Sequence, residues 1–174
     1  MRYLGALVLL LLGPGCSNPP GTVRVELEAY LHRAEAWAPV EAETARTIER
    51  ILRTQFVDEV EVRHQIADSR PRILEHLDRL RGYSPRVAAI AGIHTRYVRA
   101  WEELLAGYDA IERGFMSGDY TQLARGREGM AAWREGLIRV AADLRDLRQQ
   151  VAPDASGVTE SRAILTGHRS THST

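Results

Sequence analysis

One uninterrupted stripe of large apolar and aromatic residues, spaced in alternating steps of three and four, constrains this chain more than any other feature. Its members are Val87, Ile90, His94, Tyr97, Trp101, Leu104, Tyr108, Ile111 and Phe115. This spacing places their side chains on one face of a long α-helix. Because such a face is buried only against partner helices, we expect a helical bundle.

The predicted ends of this helix carry their own signals. Ser84 and Pro85 are typical of an N-cap followed by a first helical position, and Gly118 is typical of a left-handed residue at a helix C-terminus. Asp119 then predicts the N-cap of another helix, and Gln122 would complete a capping box. The connection between the two helices is so short that they must be antiparallel neighbours.

The last helix has a second apolar seam, which stops before Pro153. The seam contains Leu123, Met130, Trp133, Leu137, Val140, Leu144, Leu147 and Val151. Gly126 and Gly129 interrupt this helical pattern, and we expect them to let two helices approach closely. Stripe spacing also predicts that the tryptophans fill the core, and these are Trp37, Trp101 and Trp133.

Upstream, residues 22–37 and 40–67 both have helical patterns and are separated by Pro39. Proline removes a backbone donor and clashes one turn back, so either one long helix kinks there or the chain reverses. A shorter helix is predicted over 70–81. The expected fold is an all-α, elongated antiparallel bundle of four helices, or five if Pro39 is a turn, over residues 22–152. The stretch 153–174 lacks an apolar period and predicts a disordered tail.

Charge argues against nucleic-acid binding. The chain has 23 basic residues, all arginine, and 23 acidic ones, so it has no basic excess to meet a phosphate backbone. Acid-before-arginine pairs four residues apart predict solvated helix faces. The pairs are Glu49 with Arg53, Glu59 with Arg63, Glu75 with Arg79, Asp109 with Arg113, and Glu135 with Arg139.

Candidate ligand sites are few. His94 lies on the main stripe, where a buried neutral imidazole bonded to tyrosine or a backbone carbonyl is expected. The alternative makes His94 an axial haem or metal ligand, with Met116 or Met130 as its partner. Glu61 and His64 have the Glu-x-x-His spacing of di-iron bundles, although no second helix repeats it. We find no catalytic signature, so the chain is expected not to be an enzyme.

The first residues have the pattern of a secretory leader. Arg2 supplies positive charge, and residues 4–12 form an apolar run well short of the roughly 20 residues of a spanning helix. Gly13 and Gly15 then flank Pro14, which ends the run. Cys16 follows as the sole cysteine of the chain, so an intramolecular disulfide is excluded.

This leader resembles that of bacterial lipoproteins, in which signal peptidase II cuts before a diacylated cysteine. Gly15 directly before Cys16 matches the motif. The resemblance covers about residues 1–18 and implies a signal peptide over 1–15, acylation of Cys16 with chains such as palmitate, and a short tether over 16–21. Ser17 after the cysteine implies sorting to the outer membrane, facing the periplasm.

Two other interpretations of the leader stay open. Gly13 and Gly15 could serve signal peptidase I and release a soluble periplasmic protein, or the apolar run could act as a short-helix membrane anchor. On the lipoprotein interpretation, we expect a lipid-anchored cell-envelope protein. Its bundle would act as a structural or protein-interaction module, with an envelope protein of unknown identity as its partner. The alternative is a periplasm-facing sensor that binds a small ligand, haem or a metal.

Overall fold

The computed structural model describes residues 19–152, in which the regular structure is helical throughout. Four helices follow one another: α1 (Pro20–Arg53), α2 (Glu59–Arg81), α3 (Ala88–Ser117) and α4 (Tyr120–Gln150). Each packs against the next, and α4 packs back on α1, so this part of the chain is an antiparallel four-helix bundle. The expected all-α bundle is confirmed. The predicted signal peptide, Cys16 and the tail 153–174 lie outside the described residues.

Helix α1 continues through Pro39, so the chain does not reverse there and the bundle has four helices rather than five in residues 19–152. Pro71 likewise lies inside α2. Both prolines are exposed, and so are Glu35 and Ala67, the residues one turn before them. The carbonyls that lose their helical donors therefore lie on the solvent side, where water can replace the missing bond.

The predicted helix over 40–67 is wrong, because α1 ends at Arg53 and α2 begins at Glu59. Gln55 and Phe56 take positive φ values of 50° and 61° between them. The turn is held by side chains: Thr54 Oγ1 donates to the Ile51 carbonyl at 2.7 Å, and the Glu61 N–H donates to Asp58 at 3.0 Å. The predicted start of a helix at Arg70 is also wrong, because that residue lies within α2.

The expected start of α3 at Ser84 is wrong as well. The helix begins at Ala88, after Val87 in an extended conformation. The N–H groups of Arg86 and Val87 instead donate to the Glu26 carboxylate of α1. A contact with another helix has therefore decided where this helix starts.

The turn between α3 and α4 follows its sequence signals closely. Gly118 has a φ of 68°, the left-handed conformation expected at this C-terminus, and Asp119 accepts a hydrogen bond from the Thr121 N–H at 2.8 Å. The capping box is not formed, because the Asp119 N–H donates to the Gly114 carbonyl. Gln122 Oε1 is left buried without a hydrogen-bond partner among the described residues.

Glycines bring the backbones of α3 and α4 into direct contact, as Gly126 and Gly129 predict. Gly107 of α3 faces both of them. A Cβ added to Gly129 would lie 2.8 Å from Gly107 Cα and 2.9 Å from the Glu103 carbonyl oxygen. No side chain fits between the two helices at this level, so α3 and α4 form the most closely packed pair in the bundle.

Four of the five predicted surface ion pairs form. Their N–O distances range from 2.5 to 3.7 Å, and the pairs are Glu49–Arg53, Glu59–Arg63, Glu75–Arg79 and Glu135–Arg139. The pairing of Asp109 with Arg113 is wrong. Asp109 instead contacts Arg70 of α2 at 2.7 Å, and the same guanidinium reaches Glu112 at 2.7 Å. The cross-helix bond is preferred because Arg70 is three-quarters buried and can bind both carboxylates at once.

Candidate functional site

The bundle core contains a dense group of rings in the half where α1 and α3 begin and α2 finishes. We call it the aromatic–histidine cluster. Its members are Tyr30, Trp37, His76, Tyr83, His94, Tyr97 and Trp101. Centroid distances run from 4.5 Å between His76 and Trp101 to 6.5 Å between His94 and Tyr97. These distances lie in the range in which aromatic rings attract one another in edge-to-face and offset arrangements, and such contacts orient the rings relative to one another.

His94 is buried and hydrogen-bonded at both ring nitrogens. Its Nε2 lies 2.9 Å from the Leu80 carbonyl, and its Nδ1 lies 3.1 Å from the Tyr30 hydroxyl. A carbonyl only accepts, so Nε2 carries a proton, and in a neutral ring Nδ1 then accepts from the Tyr30 hydroxyl. His94 is therefore buried as expected, with a tyrosine and a backbone carbonyl at its two ring nitrogens.

The axial-ligand alternative for His94 meets an obstacle in this geometry, because a metal could bind only after one of these two hydrogen bonds breaks. Met130 is buried in α4, whereas Met116 is 70% exposed. Met116 lies 22 residues after His94 on the same helix, which separates them by about 33 Å along its axis. Met116 and His94 therefore cannot bind one haem iron together.

A second buried histidine, His76 of α2, contacts Tyr97 of α3. The Tyr97 hydroxyl donates to Glu41 of α1, so its oxygen can accept from His76 Nε2 at 3.4 Å. His76 Nδ1 has no hydrogen-bond partner among the described residues. Burial, with a smaller contribution from Arg79, lowers the pKa of His76 to about 4, so the ring is neutral at neutral pH. Burial and the nearby Glu41 raise the pKa of Tyr97, which keeps the hydroxyl protonated.

A cavity of about 150 Å³ separates α1 from α4 and reaches the aromatic–histidine cluster. Trp37, Tyr97 and Glu41 line one side, while Leu137 and Val140 of α4 belong to the other. The α1–α4 pair is the least extensively packed of the neighbouring helix pairs, so the cavity lies along the loosest seam of the bundle.

The Glu-x-x-His pair lies on the surface of the bundle, outside the core. Glu61 and His64 are both exposed on α2. Glu61 accepts a hydrogen bond from Gln65 at 2.7 Å, and His64 Nδ1 lies 3.2 Å from Asp68. Within residues 19–152, no group of three or more His, Cys, Asp or Glu side chains is arranged to hold a metal ion.

Sequence reasoning missed His76 and Glu41. The signal for His76 was present: residues 66, 69, 73, 76 and 80 continue the buried face of α2 in steps of three and four. Glu41 had no comparable signal. It follows Pro39 in a stretch whose charged and small residues indicate a solvent-exposed helix face. Its place in the site depends on the packing of α1 against α3 and α4.

Tyr30→Phe should lower the free energy of unfolding by about 1 kcal/mol, because it removes the donor to His94 Nδ1 and leaves a buried acceptor unsatisfied. Urea denaturation would measure the change. Tyr120→Phe is the matched control, since Tyr120 is 84% exposed and its hydroxyl can bond to water. Equal stability of both variants and the wild type would mean that the Tyr30–His94 bond contributes nothing.

Comparison with protein-family models, with curated proteins and with solved structures gave no match. No helix within the described range 19–152 is both long and apolar enough to span a bilayer.

Proposed function

We propose that the protein is a lipid-anchored component of the bacterial cell envelope, held in the outer membrane through acylated Cys16 and facing the periplasm, whose bundle serves as a protein-interaction module. The leader, with Gly15 directly before the sole cysteine, supports the anchor. The proposal assigns the bundle a binding role rather than a catalytic one.

One observation carries the interaction role: several large apolar side chains are exposed at the same end of the bundle, where α1 and α3 finish and α2 and α4 begin. We call this surface the apolar tip. Its members are Leu52, Val57, Val60, Met116 and Tyr120, which are 38 to 86% exposed. Beneath them, Phe56 and Phe115 pack edge to face at 6.5 Å. Soluble proteins rarely leave such residues clustered in water, and clusters of this kind mark interaction sites.

The position of the apolar tip suits an anchored protein. Cys16 lies four residues before α1, and α1 is one continuous helix of 34 residues. At 1.5 Å per residue, its far end lies about 50 Å from its start. An anchor at Cys16 would thus hold one end of α1, leaving the apolar tip at the other end to contact an envelope partner that presents an apolar surface.

Photocrosslinking in intact cells tests the interaction role. A photoreactive phenylalanine analogue at Tyr120 or Val57 should give a discrete adduct with another protein. Ile138 is the matched control position, because it is also apolar and 61% exposed but lies in the middle of α4, away from the apolar tip. Adducts of equal yield at all three positions, or none at Tyr120 and Val57, would contradict the assignment.

Cys16→Ala tests the anchor separately. We expect the variant to lose palmitate labelling and to accumulate as precursor, with the apolar leader 1–15 still attached. Wild-type protein in cells treated with globomycin, which inhibits signal peptidase II, should also accumulate as precursor. Normal processing of the variant would favour signal peptidase I, and wild-type protein that is neither cleaved nor labelled would favour an uncleaved helical anchor.

A further inference from the structure

We propose that the cavity between α1 and α4 binds a small organic ammonium ion, with the Glu41 carboxylate as its counter-ion and aromatic rings as its walls. This site is separate from the apolar tip and does not depend on the lipid anchor. Its size, its rings and its charge each limit what can bind.

The size of the cavity restricts the ligand to a small molecule. Its volume is about 150 Å³, which is room for several water molecules. Drug-sized ligands and cofactors fill pockets of about 300 Å³ or more. Ala141, at the edge of the cavity, is exposed, so a small solute can enter from the surface along α4.

Three aromatic side chains line the cavity and are held in place. Trp37 stacks on Tyr97 with centroids 5.6 Å apart and contacts Tyr30 edge to face at 5.7 Å. The two tyrosine hydroxyls are fixed by His94 and Glu41. Electron-rich rings attract cations, and ammonium ions bearing alkyl groups are bound in this way. The cluster already holds one cation: the Arg33 guanidinium lies 4.5 Å from the centroid of Tyr83.

Charge selects a cation over other small ligands. Among the residues of the described part of the chain that line the cavity, Glu41 alone is charged. Within residues 19–152, no arginine or histidine lies within 4 Å of its carboxylate, whereas Glu43 on the same helix is paired with Arg72. The Tyr97 hydroxyl occupies one acceptor position on Glu41 and leaves others open. An anion would be repelled, and a bare metal ion would find a single carboxylate.

The wall supplied by α4 is apolar. Leu137, Val140 and Leu144 face the rings across the cavity. They offer no hydrogen-bonding side chain to a strongly hydrated ion such as ammonium itself, but they can contact methyl or methylene groups. The site therefore suits an alkylammonium ion that places its charge near Glu41 and its carbon atoms against these three residues.

Choline and its neutral isostere 3,3-dimethyl-1-butanol test the proposal, because they share one shape and differ in charge. The full-length protein would be titrated with each in detergent, and the indole N–H signal of Trp37 followed by NMR. We expect a saturable shift with choline and binding of the alcohol weaker by about tenfold or more, since a charge-assisted contact is lost. Equal affinity for both compounds, or no saturable shift with choline, would overturn the proposal.

Glu41→Gln removes the charge while keeping an acceptor for Tyr97. It should weaken choline binding by about tenfold and leave the alcohol unaffected. Glu43→Gln is the matched control, because it removes the same charge two residues away and outside the cavity. If both variants weakened choline binding equally, the preference for choline would come from the overall charge of the protein. That result would contradict a site at Glu41.

Ala141→Leu gives a third test, one that does not touch the buried hydrogen bonds. The residue is exposed, and leucine is a good helix former, so the fold should be retained. A larger side chain at the edge should obstruct the cavity and weaken choline binding. Unchanged affinity in this variant would place choline elsewhere and overturn the assignment.

Discussion

Gly129→Ala should lower the free energy of unfolding by about 2 kcal/mol, even though alanine favours helices over glycine by about 1 kcal/mol. The added Cβ would lie 2.8 Å from Gly107 Cα and 2.9 Å from the Glu103 carbonyl oxygen. Both atoms belong to the backbone of α3, so rotation of a side chain cannot relieve the overlap. The two helices must instead separate, which disturbs the packing around them.

The control for this prediction is the same substitution at Gly92, also within a helix. A Cβ there meets nothing nearer than the end of the flexible Arg96 side chain, at 3.8 Å. Gly92→Ala should therefore raise the stability by up to about 1 kcal/mol through helix propensity alone. Urea denaturation of both variants should show opposite signs. Stabilisation by both would mean that the α3–α4 contact relaxes without cost.

Lowering the pH from 7 to 5 should cost about 2 kcal/mol of stability through His76 alone. Its pKa is lowered from 6.5 to about 4 by burial, with a smaller effect of Arg79. Between these two values the unfolded chain binds a proton and the folded chain does not, so protonation favours unfolding. The stability that depends on a neutral His76 is fully present above pH 6.5 and is lost progressively as the pH falls towards 4.

His76→Gln isolates this effect, since glutamine keeps an N–H donor for the Tyr97 oxygen but does not titrate. The variant should lose about 2 kcal/mol less than the wild type between pH 7 and 5, whatever its stability at pH 7. Urea denaturation at both pH values measures the difference, and the NMR titration of the His76 ring gives its pKa directly. An identical pH dependence of wild type and variant would contradict a neutral buried His76.

The features that sequence predicted well are those encoded locally. The stripe from Val87 to Phe115 determined the buried face of α3, and Gly118 with Asp119 determined the turn into α4. These signals work because one residue type fits one backbone conformation, such as glycine at a φ of 68°. Gly126 and Gly129 were informative for a different reason, because residues without a side chain allow two helices to approach closely.

The errors arose where tertiary contacts override local preference. The turn after α1 contains neither glycine nor proline, and its positive φ values fall on Gln55 and Phe56. Phe56 is held there by packing on Phe115, a contact between residues distant in sequence. The helix predicted over 70–81 began too late, because α2 continues through Pro71 and the carbonyl that loses its donor lies on the solvent side. Glu41 likewise lines the cavity only because α1 packs against α3 and α4, and no local sequence pattern indicates that packing.

The two-residue connection at Gly118 and Asp119 also bears on how the chain folds. Closing so short a loop costs little entropy, and the glycine contacts beyond it join residues close in sequence. The α3–α4 hairpin can therefore nucleate early. Helices α1 and α4 are the first and last of the bundle, so contacts between them span the longest sequence separation. They are also the least extensively packed pair of neighbouring helices. Docking of α1 on α4 should come last in folding, and that seam should be the first to open in native-state hydrogen exchange.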